Sequence, residues 1–305
     1  MHISQRKHEH DEGRYPRTGG VTVKLRGGMG NQLFGWACGF SVSRRTGLDL
    51  VLDSGQIVRQ YTESPSRSFE LDYFGLQSNS HRLDSANGPR GEGFFGFLKE
   101  HQPTLKEQSF SFDSRTLAIK APVTLEGYFQ SSLYFEEFRQ EILGYLRSNA
   151  RQSRASIQLR DELGQHWAVA HVRRGDYVNL QDTFSLPGAP YYGRARELLD
   201  TVENRIPLVV ISDDTKVARQ IVPDATRYIG PAELDSAGDI LMLMSNAEAI
   251  IGANSSLSWW GAFLGGSEMR LKIFPRQWFR DPGVPLGDLF EQDWRILDLV
   301  PGVEF

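Results

Sequence analysis

The chain has 305 residues, 40% of them apolar, and a formal net charge of −4. That is enough chain to bury two cores and short for three, without the basic surplus needed to neutralise a nucleic-acid backbone. No nucleic-acid partner is expected, and a phosphate-bearing ligand would be a small molecule held by a few local cations. Cys38 is the single cysteine, which excludes an internal disulfide and a cysteine-based zinc cluster. Its place in an apolar-periodic stretch marks a buried structural thiol.

Residues 1–20, MHISQRKHEHDEGRYPRTGG, contain no apolar run of the kind a secretion signal or membrane anchor requires. His2, His8 and His10 beside Glu9 and Asp11 could hold a metal, but a disordered polar leader is the better reading of such a segment. No later segment reaches about 18 consecutive apolar residues, so a soluble cytoplasmic protein is expected. Residues 21–25, VTVKL, alternate as a half-buried strand does, RGGMG breaks the strand, and NQLFGWACGFSVSRRTG continues at helical spacing. Leu33, Phe34, Trp36, Ala37 and Phe40 form its expected buried stripe, with Asn31 as N-cap and Gly47 near the C-terminal end.

LDLVLD, residues 48–53, reads as a second strand, and the βαβ unit so completed implies a parallel sheet. Residues 64–130 are richer in Gly, Ser and aromatics and less periodic, so loops and short helices are expected there. Residues 134–163 are charged and helical, as one long helix or a helix pair joining two domains would be. Beyond them WAVAHVR, YYGRARELLDTVEN, PLVVISDD, TKVARQIV, AEAIIGAN, SSLSWWGAFLGG and MRLKIFP alternate strand and helix. The expected fold is α/β: a leader over residues 1–20, then two doubly wound Rossmann-like domains over residues 21–160 and 161–305. They would face a central cleft, with ligands at the carboxyl ends of strands.

Four segments carry the chemistry. In GGMGNQ, residues 27–32, bare backbone N–H groups at a helix start suit an anion; a tight structural turn explains the glycines equally well. In HVRRGDY, residues 171–177, charges at the end of an apolar strand must be paired or meet a ligand. Strand alternation puts His171 and Arg173 on one side and Arg174 on the other. Arg173 is therefore expected on phosphate, through a bidentate fork, and Arg174 in an internal salt bridge with Asp176; a single buried ionic knot is the alternative. Asp213 and Asp214, ending VVISDD, suit hydrogen bonds to a ribose or a purine N–H, a divalent metal, or the cap of the next helix. No His or third carboxylate stands in tight motif with them. In ANSSLSWWGAFL, Asn254, Ser255 and Ser256 at a helix start offer a second phosphate contact, and Trp259 and Trp260 read as core.

Taken in order, GGMGNQLFGWA, HVRRGDY, VVISDD and ANSSLSWWGAFL resemble the galactoside α-1,2-fucosyltransferase family, glycosyltransferase family 11, over residues 21–275. The resemblance implies a GT-B type fold and inverting transfer of L-fucose from GDP-β-L-fucose to the 2-hydroxyl of a galactose-terminated oligosaccharide. No metal and no cofactor beyond the donor is implied, and a glycolipid acceptor would bring the chain peripherally to a membrane. It implies Arg173 at the β-phosphate and His171 beside the nucleotide. One of Asp213 and Asp214 would hold the guanosine, Ser255 and Ser256 would meet the diphosphate or the fucose, and Asn254 beside them would belong to the donor site. Gly30, Asn31 and Gln32 would face the donor across the cleft. Asp176 is the nearest motif carboxylate for a general base, its alternative role being to neutralise Arg174. Gly35-Trp36 departs from the polar-aromatic pair more usual in the family. The readings left beside this one are a non-catalytic GDP-sugar-binding protein, a fucosyltransferase of different linkage, and a metal phosphohydrolase using Asp176, Asp213 and Asp214.

Overall fold

The computed structural model describes residues 19–60, 68–78, 102–175, 183–202 and 205–299. Nearly all of the expected leader, and Asp176, lie outside the described residues. The chain enters through strand β1 (Val21–Lys24), whose two valines are buried. Gly27, at φ +65°, turns it, and helix α1 (Met29–Thr46) begins after an extended Gly28. The expected N-cap is thus corrected: Asn31 is the helix's third residue, because the glycines let the helix start earlier with no side-chain cap at all. At the other end Gly47, at φ +69°, returns its N–H to the Ser43 carbonyl.

Strand β2 (Leu50–Asp53) pairs parallel with β1, and a short helix α2 (Gly55–Gln60) follows. Strands β3 (Thr104–Lys106) and β4 (Val123–Glu126) complete a parallel sheet of order β2-β1-β4-β3. Both lie in the segment where loops and short helices were expected; at three and four residues they are too short to display alternation. Helices α3 (Arg139–Asn149) and α4 (Arg154–Leu163) then form a pair.

The second sheet is built from β5 (Ala168–Val172), β6 (Leu208–Ser212), β7 (Arg227–Ile229), β8 (Ala249–Ile251), β9 (Leu271–Pro275) and β10 (Arg295–Leu297), joined by α5 (Ala189–Val202), α6 (Thr215–Ile221), α7 (Ala237–Ser245) and α8 (Ser256–Gly265). Its order is β10-β9-β8-β5-β6-β7, all parallel. Counted from β5, that is the doubly wound order 3-2-1-4-5-6, with its switch point between β5 and β8.

Alternation in β5 assigns its two faces. Ala168, Ala170 and Val172 pack with Tyr191, Tyr192, Ala195 and Leu199 of α5, while Val169 joins a core on the opposite face. That second core is continuous across both sheets: Phe34 of α1 lies 4.5 Å, centroid to centroid, from Trp259 and 5.3 Å from Trp260 of α8. Trp259 and Trp260 are fully buried, as read from the sequence. Wedged between its own sheet and α8, helix α1 buries far more than one stripe, Gly35 and Trp36 included; Gly35 faces Val23 and Leu25. Cys38 is completely buried there, and burial pushes its thiol well above the ordinary range. Among the described residues no helix is long and apolar enough to cross a membrane.

Candidate active site

In a doubly wound sheet the crevice outside the carboxyl ends of the strands, at the switch point, is where ligands sit. Here three loops meet there: residues 173–175 after β5, residues 213–214 after β6 and residues 252–255 after β8. Two buried tyrosines of α5 brace the flanking strand ends from below. Tyr191 donates to the Gly252 carbonyl at 2.7 Å, and Tyr192 donates to the His171 carbonyl at 2.7 Å. Burial raises both phenols, so they stay protonated and keep donating.

Arg173 and Arg174 leave β5 in opposite directions. Arg173 is partly exposed and makes an ion contact with Asp213, Nη1 to Oδ2 at 2.6 Å, too far out of line to count as a hydrogen bond. Arg174 is buried, and its charge is felt by Tyr192 on the α5 side. Its Nε and Nη2 have no hydrogen-bond partner among the described residues. The salt bridge expected for Arg174 involved Asp176, outside the described residues. A buried guanidinium with idle donors costs several kcal/mol unless a carboxylate or anionic ligand meets it.

The two aspartates separate in role. Asp213 Oδ1 accepts the Arg174 backbone N–H at 2.7 Å, so this one carboxylate organises both arginines. Asp214 caps α6, accepting from Val217 N at 3.0 Å, which is the helix-capping use anticipated for one of the pair. His171 is buried, its Nδ1 2.5 Å from Ser258 Oγ. Burial, with the nearby Arg173 charge second, lowers its pKa to about 3, so the ring is neutral.

Two helix N-termini converge at this place. Ser255 is the N-cap residue of α8 and Gly28 that of α1; neither makes a side-chain cap bond, and neither first turn is acidic. Their contact is so close that a Cβ on Gly30 would stand 2.5 Å from the Ser256 carbonyl carbon. Each terminus carries roughly half a positive charge, so their meeting favours an anion.

Other expected site side chains are spent on the protein. Gln32 is fully buried; its Nε2 donates to the Gly27 and Ser68 carbonyls, both at 2.9 Å, and its Oε1 accepts from Glu70 N at 3.0 Å. Asn31 Oδ1 accepts from Gln130 Nε2 at 2.8 Å. Asn254, also fully buried, donates to the Ser185 and Trp278 carbonyls at 2.5 and 2.9 Å, tying two flanking loops to the crevice. The backbone N–H groups of Asn31 and Gln32 also turn inward, donating to the Gly28 carbonyl at 2.9 and 3.0 Å, so that of Gly30 is the one in this stretch with no acceptor among the described residues. Sequence reasoning missed the supports Tyr191, Tyr192, Ser258 and Gln130, which look like ordinary helix and loop residues; only YY directly after a Pro and before a helical run gave any signal. Among the described residues no three His, Cys, Asp or Glu gather as a metal would require.

Residues 92–297, more than half the chain and inclusive of HVRRGDY, SDD and ANSSLSWW, match the profile of glycosyl transferase family 11. The chain belongs to that family. Two Escherichia coli proteins are similar to this family 11 glycosyltransferase along most of their length. The O-antigen biosynthesis glycosyltransferase WbnK is 27% identical over 84% of this chain and 93% of its own. An alpha-1,2-colitosyltransferase is 28% identical over 90% of this chain and 97% of its own. Two solved structures align more loosely. A point mutant of Arabidopsis thaliana FUT1 in complex with GDP has a TM-score of 0.43 at 15% identity, covering 85% of this chain and 71% of that one. NodZ alpha-1,6-fucosyltransferase co-crystallized with GDP has a TM-score of 0.42 at 15% identity, covering 81% and 92%.

Proposed function

We propose that this glycosyltransferase moves L-fucose from GDP-β-L-fucose to the 2-hydroxyl of a terminal galactoside with inversion, forming an α-1,2 linkage. It acts in the cytoplasm, at the membrane surface where the acceptor is a glycolipid. The observation that carries the reading is the meeting of Arg173 and two uncapped helix N-termini at the switch point of the second sheet. These groups suit a diphosphate, and membership of family 11 supplies the glycosyl group.

A diphosphate leaving group needs its growing charge stabilised more than it needs a proton. Arg173, aligned by Asp213, and the N–H group of Ser256 at the start of α8 supply that stabilisation without a metal, the Ser255 N–H being donated to the Ala253 carbonyl. Asp213 is the aspartate of the pair that serves the donor, Asp214 being committed to its cap. Asp176 takes the proton of the acceptor hydroxyl, a role that contributes about 10²- to 10⁴-fold when a side chain fills it. The name of one relative supports the 2-linkage and offers a different donor sugar, colitose.

The test is a donor competition. Purified protein in EDTA is given GDP-fucose, GDP-colitose and a panel of oligosaccharides ending in β-galactose, and released GDP is measured for each pair. Preferred turnover of GDP-fucose with a galactoside is expected. Turnover of GDP-colitose alone would replace the donor, and binding of GDP with no turnover on any acceptor would favour a silent binding protein.

A further inference from the structure

Ser258 lies inside the first turn of α8, is completely buried, and has no part in the chemistry above. Its Oγ is 2.5 Å from His171 Nδ1 and 3.3 Å from the Ala253 backbone nitrogen. A backbone N–H can only donate, so Oγ accepts there. The hydroxyl proton then has a single acceptor among the described residues, His171 Nδ1. A ring nitrogen that accepts carries no proton, and a neutral imidazole with none on Nδ1 carries it on Nε2. The ring is neutral because burial and Arg173 depress its pKa to about 3. The ring's hydrogen bond among the described residues is made through Nδ1, which leaves Nε2 for a ligand, and His171 keeps 4% exposure at the end of β5.

We propose that Ser258 is a positioning residue that locks His171 in the Nε2–H tautomer, making the imidazole a hydrogen-bond donor at the switch point. The ligand atom it meets is an oxygen acceptor of the GDP-linked donor, and His171 is not the base of the reaction. Val169 shows what strand alternation would otherwise put on this face: an apolar residue in the core that also holds Trp259 and Trp260. A histidine and a serine stand there instead, joined across 87 positions of sequence. The Ala253–Ser258–His171 chain also couples the ring to the turn leading into α8, so tautomer and N-terminal N–H groups are set together. The identity of the ligand rests on the function proposed above; the tautomer does not.

The experiment is NMR of the full chain carrying ¹³C/¹⁵N-labelled histidine. The ring Cδ2 and nitrogen shifts report the tautomer, and His171→Gln identifies the resonance. Expected is the Nε2–H form in the ligand-free protein, unchanged down to about pH 5. In Ser258→Ala a mixture of tautomers is expected, with GDP affinity about tenfold weaker by calorimetry, about 1.4 kcal/mol. An Nδ1–H signal in the unaltered protein overturns the proposal, and so does a folded Ser258→Ala that keeps a single Nε2–H tautomer and full GDP affinity. Should Ser258→Ala not fold, the unaltered protein decides. An unaltered protein with the Nε2–H tautomer but no affinity for GDP would sink the proposed donor and leave the lock standing.

Discussion

Arg173 and Arg174 differ in what a lysine would cost them. Arg173→Lys replaces a fork by a point charge opposite both Asp213 and the diphosphate. We expect kcat to fall about 10²-fold or more, corresponding to roughly 2.7 kcal/mol, with the melting temperature near that of the parent. Steady-state kinetics checks this, and a larger kcat loss in a folded Arg174→Lys would reverse the two assignments. Asp176→Asn is expected to abolish transfer, since the amide takes no proton, and to lower GDP affinity and melting temperature, since it removes the carboxylate expected beside the buried Arg174. Transfer lost with GDP affinity and melting temperature intact would make Asp176 a base and no counter-ion of Arg174. His171 gives a pH prediction. Its folded pKa of about 3 lies below the unfolded value near 6.5, so within that window the unfolded chain binds a proton the folded one does not. Stability is therefore full above the unfolded pKa and falls with acidity, by about 2 kcal/mol between pH 6.5 and 5. His171→Gln should flatten this part of a denaturation profile; an unchanged slope would contradict a neutral buried ring. At this scale the sequence carried the alternation that separates Arg173 from Arg174, because a period of two survives in any strand. It could not tell that Gln32 and Asp214 are spent on the backbone, since an amide or carboxylate reads alike whether a ligand or a main-chain N–H satisfies it.

The elements that make the site are helix starts without caps. Glycine at position 30 is required by the approach of α1 to α8, and Gly30→Ala must push the Ser256 backbone away. The expected cost is about 1–3 kcal/mol with weaker GDP binding, read as a lower melting temperature and a smaller stabilisation by added GDP. A variant as stable and as responsive to GDP as the parent would mean that the two helix starts tolerate separation. The long apolar strands β5 and β6 and the periodic α1 and α5 were legible because each repeats its pattern for five residues or more. Strands β3, β7 and β10, at three residues each, offered no period, and α7 was hidden by an apolar surface too uniform to show a stripe. The start of α1 was misplaced for a different reason. Capping rules look for a side-chain oxygen, and this helix uses none.

Across the whole molecule, one core runs through both sheets and joins α1 to α8. Trp259→Ala opens that core at the junction, and a cost of about 3–5 kcal/mol is expected, with both halves melting in a single transition in calorimetry; two transitions would show that the halves are stable apart. The second, doubly wound sheet was legible from the alternation of strand and helix and the first only in its opening βαβ unit, and the core they share was not, because nothing in the spacing of Phe34 or Trp259 says which sheet each will meet. GDP-fucose labelled with ¹³C at the fucose anomeric carbon is incubated with a β-galactose-terminated oligosaccharide in EDTA, and the product is read by NMR. An α-anomeric signal correlated to carbon 2 of galactose is the predicted result; a β anomer, a linkage to another carbon, or no product without added divalent metal would contradict it.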